Sequence, residues 1–166
     1  MLTCSEYVVG IGSYIDILPM HHTIVRRFIS QFHQVDDHGT SQVRVFVARD
    51  PNSTSAWNAV VSGRKKWLLY PPHVVPPGVH ASPDGADVAT SVSLIEWFLN
   101  FYDETRQRKV KPVECIVSAG ELLFVPRGWW HMAINLDPGV AITQNFVSQT
   151  NLPHVLKVYI NICNPS

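Results

Sequence analysis

The amino-acid sequence predicts one domain with an all-β core and peripheral helices. Several short runs of apolar residues are separated by turns rich in glycine and proline, which is typical of strands that close into a sandwich or barrel. Residues 93–106 instead repeat their apolar side chains at helical spacing, so this segment predicts a helix outside the core. The chain has 166 residues, 46% of them hydrophobic, and is therefore long enough to bury such a core.

The composition excludes several classes of function. Lys and Arg together number 13, as do Asp and Glu, so the sequence shows no electrostatic signal of a nucleic-acid or membrane-surface partner. Cys4, Cys115 and Cys163 have no zinc-like spacing, which favours a reduced intracellular setting, nuclear or cytoplasmic. No apolar run approaches the roughly 18 residues of a membrane span. The first residues also lack the basic start and apolar block of a signal peptide.

Local patterns predict the individual elements. In a lead segment of residues 1–47, residues 7–18 alternate weakly and residues 23–32 favour a short helix. Residues 71–87 are rich in proline and glycine, and we expect them to form a surface loop. The remaining strands and a closing helix are predicted at residues 43–47, 54–62, 65–70, 114–117, 122–125, 129–136 and 140–146, and at residues 152–162.

The strands 129–136 and 140–146 flank Asp137-Pro138-Gly139, a good three-residue hairpin loop. A hairpin closed there would pair Asn145 with His131 and Thr143 with Ala133, and would place all four on one face. Polar groups on apolar strands are costly to bury without partners. They would therefore either hydrogen-bond to one another or line a pocket.

A second hairpin is predicted around Gly63-Arg64, a two-residue loop that suits a type II′ turn. In this hairpin Asn58 and Lys65 share a face with apolar neighbours. Lys65 then has two interpretations. It is either an edge lysine whose ammonium reaches solvent, or a buried cation that requires an anion.

The motifs in residues 120–146 resemble those of a known protein family. Gly-Glu, Phe-Val-Pro, Gly-Trp-Trp-His and Ile-Thr-Gln-Asn-Phe occur there in this order. They resemble the JmjC-domain branch of the cupin superfamily, which comprises Fe(II)- and 2-oxoglutarate-dependent oxygenases, and most of all its phosphatidylserine-receptor-like and F-box-linked groups. The resemblance covers residues 48–153 and implies a double-stranded β-helix, or jelly-roll. It leaves residues 1–47 unmatched and residues 154–166 as a helical tail.

The resemblance also implies a site and a reaction. Members of the family bind iron and 2-oxoglutarate and oxidise a C–H bond of a protein side chain, which gives hydroxylation or, at an N-methyl group, demethylation. No catalytic residue is expected beyond the metal ligands, and the substrate protein is the expected partner. Carried over by motif, the iron ligands are Asp50 and His131, and the residues that bind 2-oxoglutarate or line its pocket are Asn58, Lys65, Thr143 and Asn145.

One iron ligand of the family is missing. The family's His-x-Asp reads Ala48-Arg49-Asp50 here, and an alanine methyl group cannot bind a metal. Two explanations stay open at this point: a catalytically inactive domain that serves as a binding or scaffold module, or a truncated or mis-spliced product in which residues 1–48 replace the family's own segment. Both predict a JmjC-type domain with an incomplete iron site, and neither settles whether the chain is active.

Overall fold

The computed structural model describes residues 8–10, 47–81, 88–90 and 93–163. Within these ranges the chain forms ten strands, two α-helices and a 3-10 turn at Pro51–Ser53. The helix predicted at residues 23–32 and most of the alternating stretch 7–18 lie outside the described residues. The elements are β1 (Val8–Gly10), β2 (Ala48–Arg49), β3 (Ser55–Val60), β4 (Arg64–Tyr70), β5 (His80–Ala81), β6 (Val88–Ala89), α1 (Leu94–Gln107), β7 (Val113–Ser118), β8 (Glu121–Val125), β9 (Trp130–Asn135), β10 (Ala141–Phe146) and α2 (Leu152–Cys163).

Two four-stranded antiparallel sheets form the body of the domain. The first has the strand order β1-β8-β3-β10 and the second β2-β9-β4-β7, while β5 and β6 form a small separate pair. The inner faces of the two sheets pack on one apolar core that alternates along the strands, as expected for facing sheets. Its buried members are Ala56, Val60, Trp67, Leu69, Cys115, Val117, Leu123 and Val125. This architecture confirms the predicted all-β jelly-roll core with peripheral helices.

Helix α1 covers the outer face of the second sheet. Leu68, Tyr70 and Met132 alternate with the inner-facing residues of their strands and are almost fully buried beneath Trp97 of the helix. The helix begins after Ser93, whose hydroxyl accepts a hydrogen bond from the Glu96 amide at 3.1 Å, which satisfies one of the free amides of the first turn. The helices predicted at residues 93–106 and 152–162 are both confirmed.

Both predicted hairpins are wrong. Strand β9 pairs with β4 and β2, whereas β10 pairs with β3, so the two strands beside Asp137-Pro138-Gly139 belong to different sheets. In the same way, β3 pairs with β8 and β10, and β4 pairs with β7 and β9. Here both short loops cross between the facing sheets instead of closing hairpins. Alternation within a strand carries no information about which strand lies beside it.

The two loops that cross between the sheets, residues 61–63 and 136–140, pack against each other and close one end of the core. We call them the crossing loops. Ser62 and Val140 exchange backbone hydrogen bonds, with the Ser62 amide 3.1 Å from the Val140 carbonyl and the Val140 amide 3.2 Å from the Ser62 carbonyl. A side chain at Gly139 would collide with the Ser62 carbonyl. Glycine is therefore required at position 139 by close backbone approach rather than by a hairpin turn.

One loop prediction also needs correction, and one strand prediction stays untested. The connection after β4 is not wholly superficial, because Pro77 and Val79 are buried and the Trp97 indole donates to the Pro77 carbonyl at 2.6 Å. It also contains β5, which the sequence did not predict. The strand predicted at residues 43–47 lies outside the described residues except for Val47, and the observed strand begins at Ala48.

Candidate functional site

The site residues that the sequence singled out meet between the two sheets. The register pairs Thr143 with Asn58 on the first sheet and Ala48 with His131 on the second, and paired residues share a face. Alternation places Lys65 on the same face as the core residues Trp67 and Leu69. The structure thus brings the following residues to one interior: Ala48, Asp50, Asn58, Lys65, His131, Thr143 and Asn145.

The interior has two ends. Along β4 and β9, Leu69 pairs with His131 and Lys65 pairs with Asn135, so four residues of strand separate the level of Lys65 from that of His131. At a rise of about 3.3 Å per residue the two levels lie roughly 13 Å apart. The crossing loops close the Lys65 end. At the other end Ala48 and Asn145 are exposed, so solvent reaches the site between β2 and β10.

Asp50 carries a buried carboxylate oxygen without a partner. Its Oδ1 accepts a hydrogen bond from Asn145 Nδ2 at 3.2 Å, while Oδ2 is buried and has no hydrogen bond. Burial raises the pKa of Asp50 above its ordinary value. The nearby His131 and the Asn145 hydrogen bond act in the opposite direction. A buried carboxylate oxygen without a partner, in electrostatic reach of an imidazole, suits a bound cation.

His131 is oriented by the strand that precedes it. Its Nδ1 lies 3.3 Å from the Trp129 carbonyl, and since a carbonyl only accepts, Nδ1 donates the proton. The neutral ring then has an unprotonated Nε2, which is the form that binds a metal. The His131 ring also packs beside the Trp67 ring, with centroids 6.2 Å apart. Position and tautomer are thus both fixed by neighbouring groups.

Ala48 lies beside His131 on the neighbouring strand. It is the direct register partner of His131 in the β2–β9 pair, where opposed Cβ atoms lie about 4.5–5.5 Å apart. Asp50 follows two residues later. Among the described residues no group of three or more His, Cys, Asp or Glu side chains converges to hold a metal. The described residues therefore offer two donor side chains at this point, Asp50 and His131.

Lys65 is a half-buried cation without an anion. None of the described residues hydrogen-bonds to it or forms an ion pair with it, whereas the next residue, Lys66, pairs with Glu114 at 2.9 Å on the outer face. Burial lowers the pKa of the Lys65 ammonium, as expected when a charge loses water and gains no counter-ion. Of the two interpretations of Lys65, the geometry favours the cation that requires an anion.

Asn58 and Thr143 lie between the two ends. Asn58 is only 5% exposed and its Oδ1 is buried without a partner. The Thr143 hydroxyl donates to the Trp57 carbonyl at 2.9 Å. A carboxylate only accepts hydrogen bonds, so Thr143 would have to release Trp57 before it could donate to such a ligand. Asn58 is therefore the freer of the two groups.

Sequence reasoning missed two supporting groups. The Thr54 hydroxyl accepts from Asn145 Nδ2 at 3.0 Å and donates to the Pro51 carbonyl at 2.9 Å, which fixes the amide that holds Asp50. The Trp129 carbonyl sets the tautomer of His131. Thr54 carried a weak signal, because it ends the run Asp50-Pro51-Asn52-Ser53-Thr54, whose residue types favour turns. Nothing in the sequence pointed to a backbone carbonyl.

Comparison with known proteins agrees with this fold. Residues 32–151 match the family model described as cupin-like domain. The chain belongs to this family, as a cupin-like JmjC domain. The match begins inside the lead segment that the sequence motifs had left outside the family.

The curated relatives are JmjC proteins. The chain is 66% identical over 108 residues to the "Arginine-specific demethylase JMJ22" of Arabidopsis thaliana, which covers 65% of this chain and 22% of the relative. It is 37% identical over 139 residues to the "Bifunctional arginine demethylase and lysyl-hydroxylase psr-1" of Caenorhabditis elegans, covering 73% and 34%. It is 33% identical over 100 residues to the mouse "2-oxoglutarate and iron-dependent oxygenase JMJD4", covering 60% and 23%.

The chain spans about a third or less of the length of these relatives. Among its described residues, no helix is long and apolar enough to cross a membrane.

Proposed function

We propose that this chain is a JmjC-type oxygenase domain for protein side chains whose iron site is one ligand short, because Ala48 stands where the family carries a histidine. One observation carries the proposal. Ala48 lies directly opposite His131, and Asp50, whose buried Oδ2 has no hydrogen-bond partner, interacts electrostatically with the same imidazole. A histidine at position 48 would complete two imidazoles and one carboxylate around one point, which is the ligand set of non-heme iron oxygenases.

The other end of the interior supports binding of 2-oxoglutarate. Lys65 is a cation with no ion-pair partner among the described residues, about 13 Å along the strands from the level of His131. A lysine side chain and a short dicarboxylate placed end to end bridge a gap of this size, with the inner carboxylate at Lys65 and the other end near Asp50 and His131. Asn58 offers a polar wall between them. Lys65 would hold the ligand, and Thr143 would add less because its hydroxyl is already engaged.

The chemistry expected of the site follows from its relatives. When both are bound in such a domain, iron and 2-oxoglutarate would supply the oxidation of a substrate C–H bond by dioxygen, in which 2-oxoglutarate is decarboxylated to succinate. The described residues of this chain orient the imidazole, hold the carboxylate and bind the acid, but their two metal donors do not complete the iron site. Loss of a direct ligand costs more than the ~10–100-fold in metal affinity that loss of a supporting group costs. We therefore expect little or no turnover by the unmodified chain.

A second candidate function rests on the same alanine. A JmjC domain without a working iron site would act as a binding module that recognises a protein side chain without changing it. The names of the relatives refer to arginine demethylation and lysyl hydroxylation, so the side chain recognised would be that of an arginine or lysine. The nuclear or cytoplasmic location expected from the cysteines stays a prediction.

Measurement of 2-oxoglutarate decarboxylation with added Fe(II) tests the proposal. We expect the unmodified chain to form almost no succinate and Ala48→His to form it readily. Arg49→His is the matched control, because Arg49 pairs with Trp130 and faces the opposite side of β2 from Ala48. The Arg49 guanidinium lies 5.4 Å from the centre of the Trp130 ring. Strong turnover by the unmodified chain would contradict the missing-ligand account. No gain in Ala48→His would favour the binding module.

A further inference from the structure

A cavity of about 500 Å³ opens at the end of the second sheet, next to the candidate site. This volume lies within the range of roughly 300–1,000 Å³ that is typical of ligand pockets. The connection after β4 and the segment between α1 and β7 supply its walls. Its lining combines apolar and basic side chains, among them Pro71, His73, Lys109, Lys111, Val113 and Trp129.

The cavity lies at the metal-ligand end of the domain and not at the closed end. Val113 pairs with Leu69, and Leu69 pairs with His131, so two strand spacings separate Val113 from His131. At about 4.8 Å per spacing this distance is roughly 10 Å. Trp129 belongs to both the cavity and the candidate metal site. Its side chain lines the cavity and packs on the core, and its carbonyl hydrogen-bonds to His131.

The charges of the cavity are uncompensated. Lys109 and Lys111 are exposed, and none of the described residues forms an ion pair with either of them. The nearby Arg108 does not share this property, because it is tied to Glu104 at 2.7 Å. Val110 between the two lysines is 42% exposed, so the rim offers an apolar contact between two cations. Such a rim complements a ligand that carries carboxylates on an apolar or extended backbone.

We propose that this cavity docks an acidic stretch of the protein substrate, with carboxylates about three residues from the side chain that enters the site. The proposal rests on the proposed function, since it assumes a protein segment whose reactive side chain points toward His131. An extended segment advances about 3.3 Å per residue, so three residues cover the roughly 10 Å between cavity and imidazole. The balanced charge of the whole chain favours a peptide over a nucleic acid, which needs a wider basic surface.

Binding of labelled peptides to the full chain, measured by fluorescence anisotropy without iron or 2-oxoglutarate, tests this proposal. The probe is a 13-residue peptide with a central lysine and aspartates three positions to either side. The comparison peptide carries asparagines in place of the aspartates. We expect the acidic peptide to bind about tenfold more tightly, and this preference to fall as the salt concentration rises.

Charge reversal identifies the groups responsible. Lys109→Glu and Lys111→Glu should each weaken binding of the acidic peptide about threefold, and the double variant about tenfold. Lys157→Glu is the matched control, because Lys157 is an exposed lysine of α2, outside the cavity. The conservative double variant with glutamine at both positions should give an intermediate loss. This glutamine variant controls for misfolding of the charge-reversed double variant.

Three results would overturn the docking proposal: equal affinity for the two peptides, an unchanged preference in the double variant, or tighter binding of a 12-nucleotide single-stranded RNA through the same lysines. Because the assay needs no metal, its outcome is independent of turnover. A chain that binds the acidic peptide but shows no activity even as Ala48→His would keep the docking surface and lose the oxygenase assignment.

Discussion

Ala48 and His131 lie directly opposite each other on neighbouring antiparallel strands, and Asp50 follows Ala48 by two residues. Two imidazoles at these positions would share one metal with that carboxylate. On the proposed account, the third of these places holds only the methyl group of Ala48. The polar groups around it nevertheless keep an arrangement suited to a cation, because Asn145, Thr54 and the Trp129 carbonyl still orient Asp50 and His131.

Lys65 is expected to dominate the binding of 2-oxoglutarate. A hydrogen bond to a charged group contributes ~1.5–3 kcal/mol, so Lys65→Ala should weaken binding about tenfold or more by calorimetry. Lys66→Ala is the neighbouring control, because Lys66 faces the other side of β4 and pairs with Glu114. Thr143→Val should cost less, since that hydroxyl already donates to Trp57. Unchanged affinity in Lys65→Ala would rule the assignment out.

The same lysine gives a pH dependence with a defined sign. Burial lowers the pKa of Lys65 in the folded chain, so the folded state holds this proton less firmly than the unfolded state. The buried Lys65 ammonium therefore lowers the free energy of unfolding at neutral pH. This loss of stability disappears as pH rises from the pKa of Lys65 in the folded chain to the ordinary lysine pKa. Anion binding shows the opposite trend and weakens over this range. Urea titrations of the chain and of Lys65→Met should converge as pH rises, and parallel curves would contradict the prediction.

Asn145 should tune the acidity of Asp50. Its amide donates to the Asp50 carboxylate at 3.2 Å, and this hydrogen bond favours the charged form against the effect of burial. Asn145→Ala should therefore raise the pKa of Asp50 further, as followed by carbon-detected magnetic resonance of the carboxyl group. Gln144→Ala, one residue away on the other face of β10, should leave the pKa of Asp50 unchanged. A fall in the pKa after Asn145→Ala would show that the hydrogen bond is not the controlling contact.

Cross-linking distinguishes the observed sheet pairing from the hairpin that the sequence predicted. Ala59 and Ile142 are register partners in the β3–β10 pair, so cysteines at both positions should form a disulfide readily. Ala133 and Thr143 would pair in a hairpin but lie on different sheets, whose separation is about 10 Å, too far for a disulfide. Efficient oxidation of the second pair, and not of the first, would contradict the topology.

The sequence predicted which residues of each strand share a face, although its strand pairing was wrong. Alternation fixes which residues of one strand share a face, so His131 groups with Ala133 and Thr143 with Asn145 whatever lies beside them. When a short loop crosses between facing sheets, the inner residues of both strands still meet. The same set of side chains converges by either route.

The features that the sequence could not predict depend on contacts between residues that are far apart in the chain. Strand β3 finds its partners β8 and β10 far along the chain, and no local pattern encodes that choice. The tautomer of His131 depends on a backbone carbonyl, and the cavity beside Trp129 depends on two segments that meet only in the fold. The alanine at position 48 was visible, but its place opposite His131 required the register.

The most direct test of the missing-ligand account is metal binding to the unmodified chain and to Ala48→His, measured by calorimetry with Fe(II) under anaerobic conditions. The account predicts weak binding by the unmodified chain and one equivalent bound at least about 100-fold more tightly by Ala48→His. Arg49→His should bind no better than the unmodified chain. One equivalent of tightly bound iron in the unmodified chain, unchanged by Ala48→His, would contradict it.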